Sequence, residues 1–162
     1  MGKENKKENK KLEMFLEKAK HLCSRQEKCK SEIAKKLEEW NAPESLYEKI
    51  IAALENEKYI DESRYSVSYV RSKFKQNKWG RIKIKYALQQ KKIPDEMIQG
   101  AINSEIPKEK YEECIYHLLE NKKRGLKGDH RMKKLAKLIS FGTSKGFEYE
   151  IVKKTAEKII AN

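Results

Sequence analysis

Apolar residues in this chain recur at helical steps, and the whole pattern recurs about every 50 residues. Leu12, Phe15, Leu16, Ala19 and Cys23 follow one another at three- and four-residue spacing, which gathers them on one helical face. Ile33, Leu37 and Trp40 do the same, as do Leu46, Tyr47, Ile50, Ile51 and Leu54. Strand-like alternation is nearly absent; Ile82-Lys83-Ile84 is too short to count. The periodicity predicts nine helices, over 12–25, 29–40, 43–57, 61–76, 79–91, 94–104, 107–123, 129–144 and 147–160.

Punctuation supports these boundaries. Pro43, Pro94 and Pro107 stand where helices begin, where a missing N–H costs nothing. Asp61 can cap the helix that follows it. Gly80, Gly125, Gly128 and Gly146 fall between helices, where a left-handed residue often closes a turn. A shift of 51 residues lays Ile33 on Ile84, Leu37 on Leu88, Pro43 on Pro94 and Ile51 on Ile102. A further shift of 54 lays Ile84 on Leu138 and Ile93 on Phe147. A three-helix unit of this size has a small core, and stacking neighbours buries more apolar surface. The expectation is all-α: a tandem array of three three-helix repeats, elongated and free to curve. The units are 12–60, 61–105 and 106–162, preceded by a disordered basic tail at 1–11.

Charge is the second constraint. The chain carries 38 Lys plus Arg against 25 Asp plus Glu, a net +13 that favours an anionic partner. The excess is uneven. The first unit is close to neutral, whereas Arg71 to Lys92 holds nine basic residues and no acid. Lys122 to Lys137 holds eight basic residues and one acid, Asp129. A single run of this kind is often only a solvated helix face. Two at similar places in successive units suggest a surface.

Catalytic chemistry is not legible. There is no phosphate-binding Gly-rich loop, no His-Glu-x-x-His and no Cys-x-x-Cys. His21, Cys23 and Cys29, or Cys114 and His117, fit no common zinc spacing, and the cysteines read as small buried hydrophobes. Three cysteines without framework spacing point to a reducing compartment, and no apolar run is long enough to span a membrane. No enzyme, metal or cofactor is expected; a cytoplasmic monomer is. Trp79, inside the basic run, is either a stacking residue or a staple closing its turn, and the staple is the simpler reading.

The middle unit resembles a known family. Tyr59-Ile60-Asp61-Glu62-Ser63-Arg64-Tyr65, then Tyr69-Val70-Arg71, then Lys78-Trp79-Gly80-Arg81-Ile82-Lys83-Ile84 and Leu88-Gln89-Gln90-Lys91-Lys92-Ile93 resemble the RecX regulatory proteins. Ser31 to Leu37 is similar to an earlier motif of the same family. The chain departs at Lys58 and Lys92, where the family commonly has Gly, and at Ser66, where it often has Ala. The resemblance implies a non-catalytic regulator. Such a protein lies in the groove of the RecA filament on single-stranded DNA and inhibits its ATPase, strand-exchange and co-protease activities. It thereby modulates recombination, DNA repair and the SOS response.

The expected contact residues for the filament, single-stranded DNA or duplex DNA are the basic runs. They are Arg71, Lys75, Lys78, Arg81, Lys83 and Lys85 in the middle unit, and Lys123, Arg124, Lys127, Arg131 and Lys134 in the last. Stacked repeats would set equivalent turns on one side, joining the two runs. The competing reading, carried by charge alone, is a stand-alone helical nucleic-acid-binding module.

Overall fold

The computed structural model describes residues 1–128 and 130–162. Among the described residues the helices run in order α1 Gly2–Arg25, α2 Lys30–Glu39, α3 Tyr47–Asn56, α4 Glu62–Lys75, α5 Arg81–Gln90, α6 Asp95–Glu105, α7 Lys108–Arg124, α8 Arg131–Ser144 and α9 Tyr149–Ala161. A 3₁₀ turn, Glu44–Leu46, opens the third segment, which the periodicity alone reads as one helix. The expected start of the eighth helix at 129 lies outside the described residues. The first helix begins at Gly2 rather than at Leu12. Residues 2–11, within the stretch expected as a disordered basic tail, extend it with exposed side chains. An apolar stripe marks only residues with a face to bury, whereas Lys and Glu extend a helix without one.

The caps follow the punctuation. Asp61 Oδ1 accepts the N–H of Arg64 at 3.0 Å, and Pro94 and Pro107 take the N-cap positions of α6 and α7. The second helix of every unit ends in one and the same way. Asn41, Lys92 and Gly146 adopt φ of 56°, 61° and 93° at equivalent positions. At each of them the next residue donates its N–H back to the helix: Ala42 to Leu37, Ile93 to Leu88 and Phe147 to Gly142. The left-handed residue donates to a nearer carbonyl, of Glu38, Gln89 or Thr143. This is the Schellman closure, and the residue after it is buried in all three units.

Close helix packing lies within units: α1 and α2 on α3, α4 and α5 on α6, and α7, α8 and α9 on one another. The array is elongated, but its core is divided unequally. The first unit has its own, built from Phe15, Ala19, Ile33, Leu37, Leu46, Ile50 and Leu54. The second and third share one, through Phe74, Ile84, Leu88, Tyr111, Ile115, Leu138 and Phe147. Aromatic rings carry the continuity: Tyr111 lies 6.0 Å from Phe74 and 5.0 Å from Phe147 between ring centres.

The units join by a repeated device. The first turn of one unit docks on the second turn of the next. At the first joint Cys29 is fully buried in the core of the later units, and Ser31 Oγ donates to the Lys91 carbonyl at 2.8 Å. At the second joint Gly80 N–H donates to the Lys145 carbonyl at 2.8 Å and Ile82 N–H to that of Gly146 at 3.0 Å. Each joint also holds a tyrosine, a glutamate and a cation. Tyr65 Oη and Lys91 Nζ both donate to Glu32 Oε1, at 2.8 and 2.9 Å. Tyr111 Oη donates to Glu148 Oε2 at 2.6 Å, and Arg81 Nε donates to Glu148 Oε1 at 2.8 Å.

Candidate functional site

The expected contact residues separate into two groups in the structure. Three are engaged within the chain. Arg71 grips Glu105 with two hydrogen bonds, Nε at 2.9 Å and Nη2 at 3.1 Å, and so ties α4 to the end of α6. The guanidinium beside it holds the Glu105 carboxyl below its ordinary range. Arg81 pairs with Glu148, its guanidinium lies 4.1 Å from the centre of the Tyr111 ring, and its backbone N–H donates to Tyr111 Oη. Lys123 Nζ donates to the Ile159 carbonyl at 2.8 Å and closes the end of α9. Nothing local in the sequence announces these pairings, because the partners are distant along the chain: Glu105 ends α6, Glu148 caps α9 and Ile159 lies in its last turn.

The other cations make no ion pair among the described residues. Lys75 and Lys78 stand on the rim of a groove of about 590 Å³ between the second and third units. Its apolar floor is Phe74, Pro107, Cys114 and Leu118, and Glu105, Lys110, Glu113 and His117 complete its walls. The acids there are already answered, Glu105 by Arg71 and Glu113 by Lys110 at 3.4 Å. The groove therefore presents two unpaired ammonium groups above an apolar floor. Burial pushes the Cys114 thiol upward, and the positive charges of Lys78 and Lys145 oppose that push. Sequence reading misses this groove because its floor joins α4 to α7 and the residue that caps it, far apart along the chain and at no common spacing.

Lys85 is exposed on α5. Lys83 is half-buried, its ammonium 4.6 Å from the centre of the Trp79 ring, and Lys73 covers the same ring at 4.8 Å. Trp79 is half-buried against the shared core, and its backbone N–H donates to the Lys73 carbonyl at 3.0 Å. The backbone of Trp79 thus closes the α4–α5 turn while its side chain packs on the core, in keeping with the staple reading. In the last unit Arg124 and Lys127 are exposed at the end of α7 and beyond it, and Arg131 and Lys134 open α8. The first turns of the units meet second turns of their neighbours.

Among the described residues no three His, Cys, Asp or Glu side chains gather as a metal site, and no helix is long and apolar enough to cross a membrane.

Comparison with known proteins agrees with this architecture. The family model for the second three-helix domain of RecX matches residues 61–102, which hold α4, α5 and most of α6. The regulatory protein RecX of Bacillus mycoides is 26% identical over 136 residues, 84% of this chain and 50% of that protein. The chain thus spans about half the length of that relative. RecX of Clostridium tetani is 32% identical over 115 residues, covering 70% of this chain and 52% of the relative. RecX of Prosthecochloris aestuarii is 26% identical over 138 residues, with 84% and 87% covered. A crystal structure of regulatory protein RecX superposes with a TM-score of 0.84 at 25% identity, covering 91% of this chain and 73% of that one. The crystal structure of RecX from Lactobacillus salivarius superposes with the same TM-score at 23% identity, covering 95% and 99%. In its middle domain, in its relatives and in its helical architecture, this chain matches the RecX family of regulatory proteins.

Proposed function

We propose that this chain binds the RecA filament on single-stranded DNA and inhibits its ATPase, strand-exchange and co-protease activities. The reading joins the family match to one structural observation. Lys75, Lys78, Lys83, Lys85, Arg124, Lys127, Arg131 and Lys134 make no ion pair among the described residues, so their charge remains available to an anionic partner. Arg71, Arg81 and Lys123 hold the array in shape, and the contact surface is assigned to the remaining cations. An elongated array suits a filament because it lays a long surface along a repeating partner. No catalytic group is needed: inhibition follows from occupying the surface the partner's own chemistry requires.

The test reverses Lys75, Lys78 and Lys85 to Glu, with Lys11, Lys35 and Lys49, one on each of the first three helices, reversed as a matched control. The expected result is loss of inhibition of RecA ATPase by the first triple variant only, with both variants folded. Equal inhibition by both removes the basic surface from the site. Naked single-stranded DNA in competition with preformed filament separates this reading from a stand-alone nucleic-acid binder. A filament regulator stays on the filament, whereas a simple binder distributes with available strand.

A further inference from the structure

The outward face of α5 carries an apolar pair that the fold does not require. Ile82 and Tyr86 are 55% and 63% exposed, one helical turn apart. Lys85 and Gln89 share their face and are exposed as well. The inward face is what the repeat preserves. Ile84 and Leu88 are fully buried, and so are their counterparts Ile33 and Leu37 in α2. The counterparts of Ile82 and Tyr86 are Ser31 and Lys35 in α2, and Ala136 and Ser140 in α8. A large apolar side chain and an aromatic ring at these two positions therefore belong to the middle unit alone. No carboxylate lies anywhere in Arg81–Gln90. Among the described residues the one acid bonded to this face is Asp95, which accepts from Gln89 Nε2 at 3.1 Å at its far end.

We infer that this face is a stacking platform for an unpaired nucleobase, with Tyr86 as the ring beneath the base, Ile82 as its apolar flank and Lys85 as the phosphate contact. The inference deepens the reading above and rests on it for the presence of single-stranded DNA. Two large apolar residues flanked by Lys85, Gln89 and Gln90 are too little for a stable protein interface, which takes about 800 Å² per partner. They match one base and its phosphate. An exposed phenol can stack on any base, whatever the sequence, provided that base has a free face. In a duplex both faces are covered by neighbouring pairs, so the platform is specific for unpaired strand. The second copy and the apolar protein partner remain as outcomes of the test.

The experiment measures the full-length chain binding fluorescein-labelled oligothymidylate of about 20 nucleotides, and a hairpin duplex of the same charge, by anisotropy at one fixed salt concentration. The variants are Tyr86→Ala, Tyr86→Phe and Ile82→Ser. Tyr86→Ala should weaken single-strand binding at least about fivefold, the lower end of what one stacked base contributes. Tyr86→Phe should bind as the parent does, and duplex binding should be unchanged by both. The exposure of both side chains leaves melting temperatures unaltered. Unchanged single-strand binding by Tyr86→Ala overturns the inference, as does an equal loss on duplex, or an equal loss with Tyr86→Phe. Failure of the parent to bind oligothymidylate overturns it too. Self-association of the parent that Tyr86→Ala abolishes would assign the face to a second copy instead. RecA inhibition measured in parallel keeps the two readings apart. A parent that binds the strand through Tyr86 but leaves RecA active sinks the regulator and keeps the platform.

Discussion

Gly80 and Gly146 meet backbone to backbone. A Cβ built on Gly80 would collide with the carbonyl group of Gly146 and the amide of Phe147, and one on Gly146 would collide with Lys83. The two residues reach this contact in different conformations. Gly146 is left-handed at φ 93°, whereas Gly80 has φ −78°, open to any residue. Gly80 is glycine for close approach alone, not for its dihedral angles.

Gly80→Ala should therefore destabilise the second joint by about 1–3 kcal/mol, since the obstacle is backbone and cannot rotate away. Chemical denaturation should show the loss. The substitution should also weaken the Arg81–Glu148 pair, which sits beside the contact. A variant as stable as the parent would mean that the two turns do not meet as described.

At the equivalent closure of the middle unit the left-handed residue is Lys92, with φ 61° and an exposed side chain. Glycine adopts this conformation without the steric cost an L side chain bears, but it loses more chain entropy on folding. The first effect is the larger, so Lys92→Gly should stabilise by roughly 0.5–1 kcal/mol. Lys58, also at φ 61°, should respond alike. A lower melting temperature for both variants would show that the lysines contribute contacts the structure does not contain.

These turns also show where sequence reading succeeds and where it stops. The nine helices and the threefold repeat were legible because Ile33, Ile84 and Leu138 mark one buried position at a regular interval. The departures from the family's glycines at Lys58 and Lys92 fell at left-handed residues, so the chain keeps the family's turn and strains its own side chains to do so. The joints were not legible. Arg81 reads as one more cation of a basic run, and only the fold brings it to Glu148, far along the chain. Nor was the merging of two cores, which depends on Tyr111 lying between Phe74 and Phe147.

The first joint should be acid-sensitive. Burial alone would raise the Glu32 carboxyl, but hydrogen bonds from Lys91 and Tyr65 outweigh it and hold the group below its ordinary value. Burial and the adjacent Glu32 push the Tyr65 hydroxyl far upward, so it remains a donor. A carboxyl depressed in the folded chain stabilises fully above its unfolded value and loses that contribution as pH falls through the folded one. The stability gap between the parent and Glu32→Gln should therefore shrink as pH drops from about 5 to about 3. Urea unfolding across that range checks it. A gap of constant size would assign the contribution of Glu32 to shape rather than to charge.

The groove floor offers a chemical reporter of the basic surface. Burial raises the Cys114 thiol, and Lys78 is the first of the two cations that pull it back. Only the thiolate reacts with an alkylating agent, so its rate follows the local potential. Lys78→Gln should slow alkylation of Cys114 at about pH 8 by roughly two- to fivefold, the effect of removing one nearby charge in a partly solvated site. The effect should fade as salt is added. Cys23 is an internal reference. Burial raises its thiol too, but the cations beside it are Lys28 and Arg64, so its rate should not change. Peptide-level mass spectrometry reads both sites in one sample. A slowing of Cys114 alone places the Lys78 charge over the groove; a slowing of both reports a change in how the chain opens and removes Lys78 from the groove's rim.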